Sequence, residues 1–199
     1  MPERLKSPRL RLFVALDLPE DVLASLIAWR DRELGAVPDA RLLPPASLHV
    51  TLVFLGYQYE RDVERIAQAC FAQPAGPFEL RPAEATGVPP RRPRLYALSL
   101  EDVGDAVTAW QGELSARLEA ERLYEPEKRP FWPHVTLARG KRNRALPRLD
   151  DPPGISADLR PPFAPTRATL YRSTLSAAGA VYDPLAEMEL ATRDNESGV

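Results

Sequence analysis

The chain's only two histidines open the same four-residue word, His49-Val50-Thr51-Leu52 and His134-Val135-Thr136-Leu137. The word constrains the fold before it says anything about chemistry. Apolar and polar residues alternate in it, which is the signature of a half-buried strand. Residues i and i+2 of a strand share a face. His and Thr therefore project to one side while Val and Leu project to the other. Each word needs a core beneath it and open space above it. Two such strands on one cleft present two imidazoles and two hydroxyls, a general acid and a general base with hydrogen-bond donors between them.

The rest of the chain supplies a setting for each word. Arg9 to Leu18 alternates and reads as a strand, with Leu10, Leu12, Val14 and Leu16 on one face. Pro19 opens a helix that carries Val22, Leu23, Leu26, Ile27 and Trp29 and fades near Gly35. Pro44 and Pro45 then break the chain before the first motif strand, Leu48 to Leu55, which Gly56 ends. A second helix is expected over Glu60 to Phe71, with Cys70 on its apolar side. Strands follow at Phe78 to Val88 and Leu95 to Leu100. A third helix spans Val103 to Leu123, with Val107, Trp110, Leu114 and Leu118 on one face. Pro130 and Pro133 bracket the approach to the second motif strand, His134 to Arg139. A Pro-rich stretch with a short strand fills Arg148 to Pro165. Arg167 to Leu175 and Val181 to Leu190 form a hairpin turning at Ala178-Gly179.

The order strand, helix, Pro-rich approach, motif strand thus occurs twice. It predicts an α+β fold of two pseudo-symmetric lobes around a central groove. Each lobe is a mainly antiparallel sheet with helices outside. One domain is expected over residues 1–190, with a polar, frayed tail over 191–199.

Composition limits the partners. The net charge of −2 excludes a surface coated in positive charge for duplex DNA, but not a local basic cleft. Basic residues do gather: Arg91, Arg92 and Arg94; Lys128 and Arg129; and Arg139, Lys141, Arg142 and Arg144. The second and third groups flank the second motif word. No apolar run is long enough to span a bilayer, and residues 1–10 lack the apolar core of a signal peptide. A single cysteine excludes an internal disulfide and fits a reducing, cytoplasmic setting.

Rival chemistries lack residues. A stable metal site needs three or four ligands, and beyond the two histidines there is one cysteine and no acid within either word. Cys70 sits among apolar neighbours and reads as core. No nucleophile elbow and no Gly-rich phosphate loop is present. Paired imidazoles remain, and they suit phosphoester cleavage. A neutral His takes the proton of an attacking water, and a charged His protonates the departing sugar oxygen. Thr51 and Thr136 can donate to the non-bridging oxygens.

These features resemble the 2H phosphoesterase superfamily. The resemblance rests on the paired His-x-Thr-x words, on Phe54-Leu55-Gly56 after the first, and on Arg129-Pro130-Phe131-Trp132-Pro133 before the second. The opening Arg11-Leu12-Phe13-Val14-Ala15-Leu16-Asp17-Leu18-Pro19 and the late Leu170-Tyr171-Arg172-Ser173 are similar to its bacterial and archaeal branch, the RNA 2′,3′-cyclic phosphodiesterases, also called 2′-5′ RNA ligases. The resemblance implies metal-independent hydrolysis of a terminal 2′,3′-cyclic phosphate to a 2′-phosphate, with no cofactor. RNA termini or small cyclic nucleotides would be the partners, with no membrane and no obligatory protein partner. It also makes His49 the proton donor and His134 the proton acceptor, an order that a pseudo-symmetric pair does not itself disclose. Leu42-Leu43 departs from the family, whose members often carry a Trp there.

Arg129, Phe131 and Arg139 are the candidate substrate-binding residues. Strict alternation places Arg139 on the face opposite His134 and Thr136, unless a bulge re-aims it. Phe131 fits a core position equally well. Two alternatives stand beside hydrolysis: reversible 2′-5′ RNA ligation by the same groups, and an RNA-end-binding module without turnover.

Overall fold

Two antiparallel ladders meet at one residue pair in the computed structural model, which describes residues 8–176 and 179–192. The elements run β1 (Arg9–Asp17), α1 (Glu20–Leu34), β2 (Ala40–Leu42), β3 (His49–Tyr59), α2 (Val63–Cys70), β4 (Leu80–Val88), β5 (Leu95–Asp102), α3 (Ala106–Ala120), β6 (His134–Gly140), β7 (Arg167–Ser176) and β8 (Gly179–Glu189). Among the described residues the strands form one sheet in the order β4-β5-β6-β3-β1-β7-β8, with β2 added on β6. Every pairing is antiparallel. The fold is α+β, and its two lobes are halves of this single sheet. They join where Val50 of β3 faces Val135 of β6. The expected repeat is visible in the pairing. Each motif strand lies beside the strand that opened its own copy, β3 beside β1 and β6 beside β5.

The helices form where the apolar spacing placed them, and local chemistry sets their ends. Helix α1 carries Glu20 and Asp21 in its first turn and Arg32 in its last, the arrangement its dipole favours. Its fully buried Trp29 donates its indole N–H to the Gly154 carbonyl at 3.0 Å. That bond anchors the Pro-rich segment after β6. Arg30 is only 4% exposed, an unusual place for a guanidinium. Its bonds to the Asp31 carboxylate and, at 2.5 Å, to the Leu43 carbonyl account for it, and they fix the approach to β3.

Helix α3 buries Val107, Trp110, Leu114 and Leu118, the face expected from the sequence. It is shorter than expected at both ends. Gly104 and Asp105 have left-handed backbone, so Val103–Asp105 is a separate 3-10 turn. At the other end Arg122 is left-handed, and the Leu123 N–H bonds back to the Leu118 carbonyl, which stops the helix. Helix α2 is likewise preceded by a 3-10 turn at Glu60–Asp62, where the sequence suggested continuous helix.

Two strand boundaries differ for physical reasons. Gly56 does not end β3. It takes φ +67° opposite Leu12, beside a bulge at Leu55, and the strand continues to Tyr59. Pro82 is tolerated inside β4 because β4 is the outer strand of its ladder. Ala178, half of the expected hairpin turn, and most of the expected tail lie outside the described residues. So do residues 1–7.

The start of α3 offers a direct check on this reading. The Asp102 carboxylate accepts from the Val107 and Thr108 N–H groups at 3.2 and 2.7 Å, capping otherwise unpaired donors. Asp102→Ala should therefore lower stability by about 1 kcal/mol in urea unfolding, and Asp102→Asn should restore most of it.

Candidate active site

The site follows from the single pair that joins the two ladders. Val50 and Val135 are 0% and 1% exposed, and both point into the core. One step away on either side, the antiparallel register sets His49 opposite Thr136 and Thr51 opposite His134. These four side chains are partly exposed on the other face. They line one groove of about 700 Å³ together with Arg11, Arg41 and Arg139. The sequence-predicted catalytic set is thus brought together.

The structure also settles how Arg139 is aimed. Residue pairing along β5 and β6 skips Leu137, which is an extra residue in β6. Leu137 and Ala138 are both buried, and alternation restarts with Arg139 exposed on the same face as His134 and Thr136. The expectation from strict alternation is corrected by this bulge. Strand β3 carries the same device, because its pairing with β1 skips Leu52. Leu52 and Val53 are both buried, and Phe54 returns to the groove. The repeated unit is therefore six residues long, and Phe54 in one copy stands where Arg139 stands in the other.

The two imidazoles sit in different surroundings. His49 is stacked on Phe13 with ring centroids 5.0 Å apart, and Tyr182 meets it edge-on at 5.4 Å. Tyr171 stacks on Phe13 from further along, with its hydroxyl donating to Asp17 at 2.8 Å. Asp17 also accepts from Thr169 and pairs with Arg167, so the aromatic wall behind His49 is held by a bonded carboxylate. Burial, with a smaller contribution from the neighbouring His134, pushes the His49 imidazole from its ordinary 6.5 down to about 4. His134 stacks on Trp132 at 4.1 Å, and its Nδ1 lies 2.7 Å from the Trp132 carbonyl oxygen. A carbonyl can only accept, so Nδ1 carries the hydrogen and Nε2 of the neutral ring keeps its lone pair. Burial lowers His134 below the ordinary range; the Trp132 carbonyl opposes this shift, and Arg139 adds to it.

Arg129 and Phe131 line a neighbouring recess of about 420 Å³, which Thr51 and His134 share with the groove. Phe131 is half-buried and packs on the core while lining this recess. Leu43 lines the groove from the approach to β3. Cys70 is fully buried, and burial pushes its thiol up to about 12, in keeping with a core role. Among the described residues no cluster of three or more His, Cys, Asp or Glu could hold a metal ion. No described helix is long and apolar enough to cross a membrane.

Sequence reasoning did not single out Arg11, Arg41 and Tyr182. Arg11 had a legible signal, since it precedes Phe13 by two on a strand. Its guanidinium lies 4.4 Å from the Phe54 ring and donates to the Ser173 hydroxyl. Arg41 and Tyr182 come from β2 and β8, and only the sheet order brings them to the groove.

A family model described as the 2′-5′ RNA ligase superfamily matches residues 19–173. The chain belongs to this superfamily. It is 33% identical over 190 residues to an RNA 2′,3′-cyclic phosphodiesterase of Thermus thermophilus, covering 91% of this chain and 90% of that one. It is 28% identical over 192 residues to the Escherichia coli protein of the same description, covering 88% and 93%. Its fold is similar to that of Escherichia coli LigT in complex with 3′-AMP, with a TM-score of 0.76, 26% identity, and coverage of 93% and 100%.

The depressed His49 predicts an acid sensitivity. Its folded pKa lies below its unfolded one, so the unfolded chain binds an extra proton between about 6.5 and about 4. Stability should fall as pH drops through that window, with His134 acting in the same direction. His49→Gln should lose less stability than the unaltered protein between pH 7 and pH 4.5, read as urea midpoints. Equal losses would show that His49 is not held neutral by the fold.

Proposed function

We propose that this chain hydrolyses 2′,3′-cyclic phosphate ends of RNA to 2′-phosphates without a metal ion. The observation that carries the reading is the crossed placement of His49, Thr51, His134 and Thr136 on one groove, where Arg11, Arg41 and Arg139 supply positive charge. The relatives named as RNA 2′,3′-cyclic phosphodiesterases support the substrate class.

The step balances with these groups alone. A water oxygen attacks phosphorus, and Nε2 of His134 takes its proton. The bond from phosphorus to the 3′ oxygen breaks, and His49 gives that oxygen a proton. The products are a 2′-phosphate and a 3′-hydroxyl. The Trp132 carbonyl supports His134 as the base, because it fixes the tautomer whose Nε2 can accept. His49 must be protonated to act as the acid, although it is held neutral at pH 7 in the empty groove. An anionic phosphate entering the groove favours the imidazolium and raises its pKa toward the working range. Thr51 and Thr136 donate to the non-bridging oxygens, where negative charge builds in the transition state. Ligation to a 2′-5′ linkage runs the same groups in the same direction, with a 5′-hydroxyl in place of water; cleavage of that linkage is the reverse. Binding without turnover has no use for paired imidazoles. The single, buried thiol accords with a reducing compartment such as the cytoplasm.

Thr51→Ala or Thr136→Ala should each cost on the order of tenfold to a thousandfold in kcat, as for a lost oxyanion donor, while Thr→Ser keeps more. An oligonucleotide ending in a 2′,3′-cyclic phosphate should yield the 2′-phosphate isomer, at the same rate with excess chelator. A 3′-phosphate product, or activity that chelation removes and a divalent ion restores, would overturn the assignment.

A further inference from the structure

Beside the catalytic groove lies a second, larger recess of about 1070 Å³ that the reaction does not use. Six cations line it: Arg41, Arg94, Arg139, Lys141, Arg142 and Arg144. Among the described residues Asp39 is the one carboxylate in its lining, and it is paired with Arg144 at 3.4 Å. In a chain of net charge −2, this is a strong local concentration of one sign. Like charges so gathered raise the energy of the empty recess and favour a polyanion in it.

The recess is built on a fixed backbone. The Lys141 N–H donates to the Asp39 carbonyl at 2.8 Å, the Gly140 N–H to the Arg94 carbonyl at 2.9 Å, and the Arg144 N–H to the Lys141 carbonyl at 3.0 Å. The three segments that supply the cations are therefore tied to one another. Gly140 has no room for a side chain, since a Cβ there would lie 1.9 Å from the Arg144 carbonyl oxygen. Asp39 and Arg142 both hold left-handed backbone at the rim, with φ of 58° and 50°. Such strain persists only where the surroundings enforce it. The bulge at Leu137 completes the layout, because Arg139 then lines both the recess and the catalytic groove. Arg41 also lines both.

We propose that this recess holds the phosphodiesters of the RNA strand immediately upstream of the reacting nucleotide. The inference rests on the proposed function for the identity of the reacting end. A single strand that leaves its terminal phosphate at the histidine pair has two adjoining recesses open to it. The smaller one, with Tyr124, Phe131, Trp132 and Glu127, is aromatic and carries a carboxylate, which suits a base. The larger one offers charge along its length and suits a backbone. The protein thereby distinguishes an RNA end from a cyclic mononucleotide. Because the recess is finite, the preference grows over the first few nucleotides and then levels off.

The test is the triple variant Lys141→Gln, Arg142→Gln, Arg144→Gln, which spares Arg41 and Arg139. The control triple, Arg32→Gln, Arg65→Gln, Arg160→Gln, removes equal charge from positions that line none of these recesses. The first readout is the ratio of kcat/KM for a tetranucleotide 2′,3′-cyclic phosphate to that for a mononucleotide 2′,3′-cyclic phosphate. We expect the recess variant to lower this ratio on the order of tenfold, as a few lost phosphate contacts would, and the control to preserve it. The second readout needs no turnover. It is the anisotropy of a labelled tetranucleotide over a range of salt. Loss of two phosphate contacts should flatten the slope of log Kd against log salt by about 1.4. An unchanged slope in the recess variant, or an equal change in the control, overturns the proposal. Failure of the unaltered protein to cleave either substrate would instead overturn the proposed function, and the binding arm would still decide what the recess holds.

Discussion

One backbone pairing, Val50 opposite Val135, is the joint on which the site depends. It is the register contact between the two halves of the sheet, and each of its valines lies between the His and the Thr of its own word. Its two valines are sealed in the core, so the residues flanking them have no choice of face. Shifting either strand by one residue would send both polar side chains of its word into the core and both apolar ones into the groove. The register that buries the core is the register that assembles the site. This coupling lets four polar groups share a cleft without a loop to gather them.

The bulges shape the groove beside that joint. Each motif strand alternates for three residues and then spends an extra one, Leu52 or Leu137, on the buried side. The next exposed side chain is thus re-aimed over the groove. In one half it is Phe54, in the other Arg139, so a symmetric scaffold gains an asymmetric floor with an aromatic on one side and a cation on the other. The imidazoles are differentiated in the same way. His49 is walled by Phe13 and Tyr182, while His134 is tied to a backbone carbonyl. Environments that separate two chemically identical groups are what acid and base roles require.

Much of this was legible in the residues, and the parts that were not have physical reasons. The two words gave the strands and the facing of His and Thr, because period-two alternation over a buried sheet admits one solution. The helix faces followed from spacing, down to Val107, Trp110, Leu114 and Leu118. The bulges were harder to read, since Leu52-Val53 and Leu137-Ala138 look like ordinary apolar runs. The signal lay in comparing six residues rather than four, where alternation fails at the same place in both copies. Strand β2 was missed because three residues between a helix and a Pro pair carry no period. That miss hid Arg41, which joins the catalytic groove to the basic recess. Arg30 follows Trp29 on the buried side of α1, and its bonds to Asp31 and Leu43 explain how a guanidinium is held there.

The central claim is that both imidazoles act on one phosphorus in one transition state. A double-mutant cycle measures this directly, using kcat for a cyclic-phosphate oligonucleotide in His49→Ala, His134→Ala and the double variant. Groups that act as a unit lose their effect together, so the double variant should be little slower than the slower single variant. If the two losses multiplied instead, the histidines would be serving separate steps, and the shared-groove mechanism would be wrong.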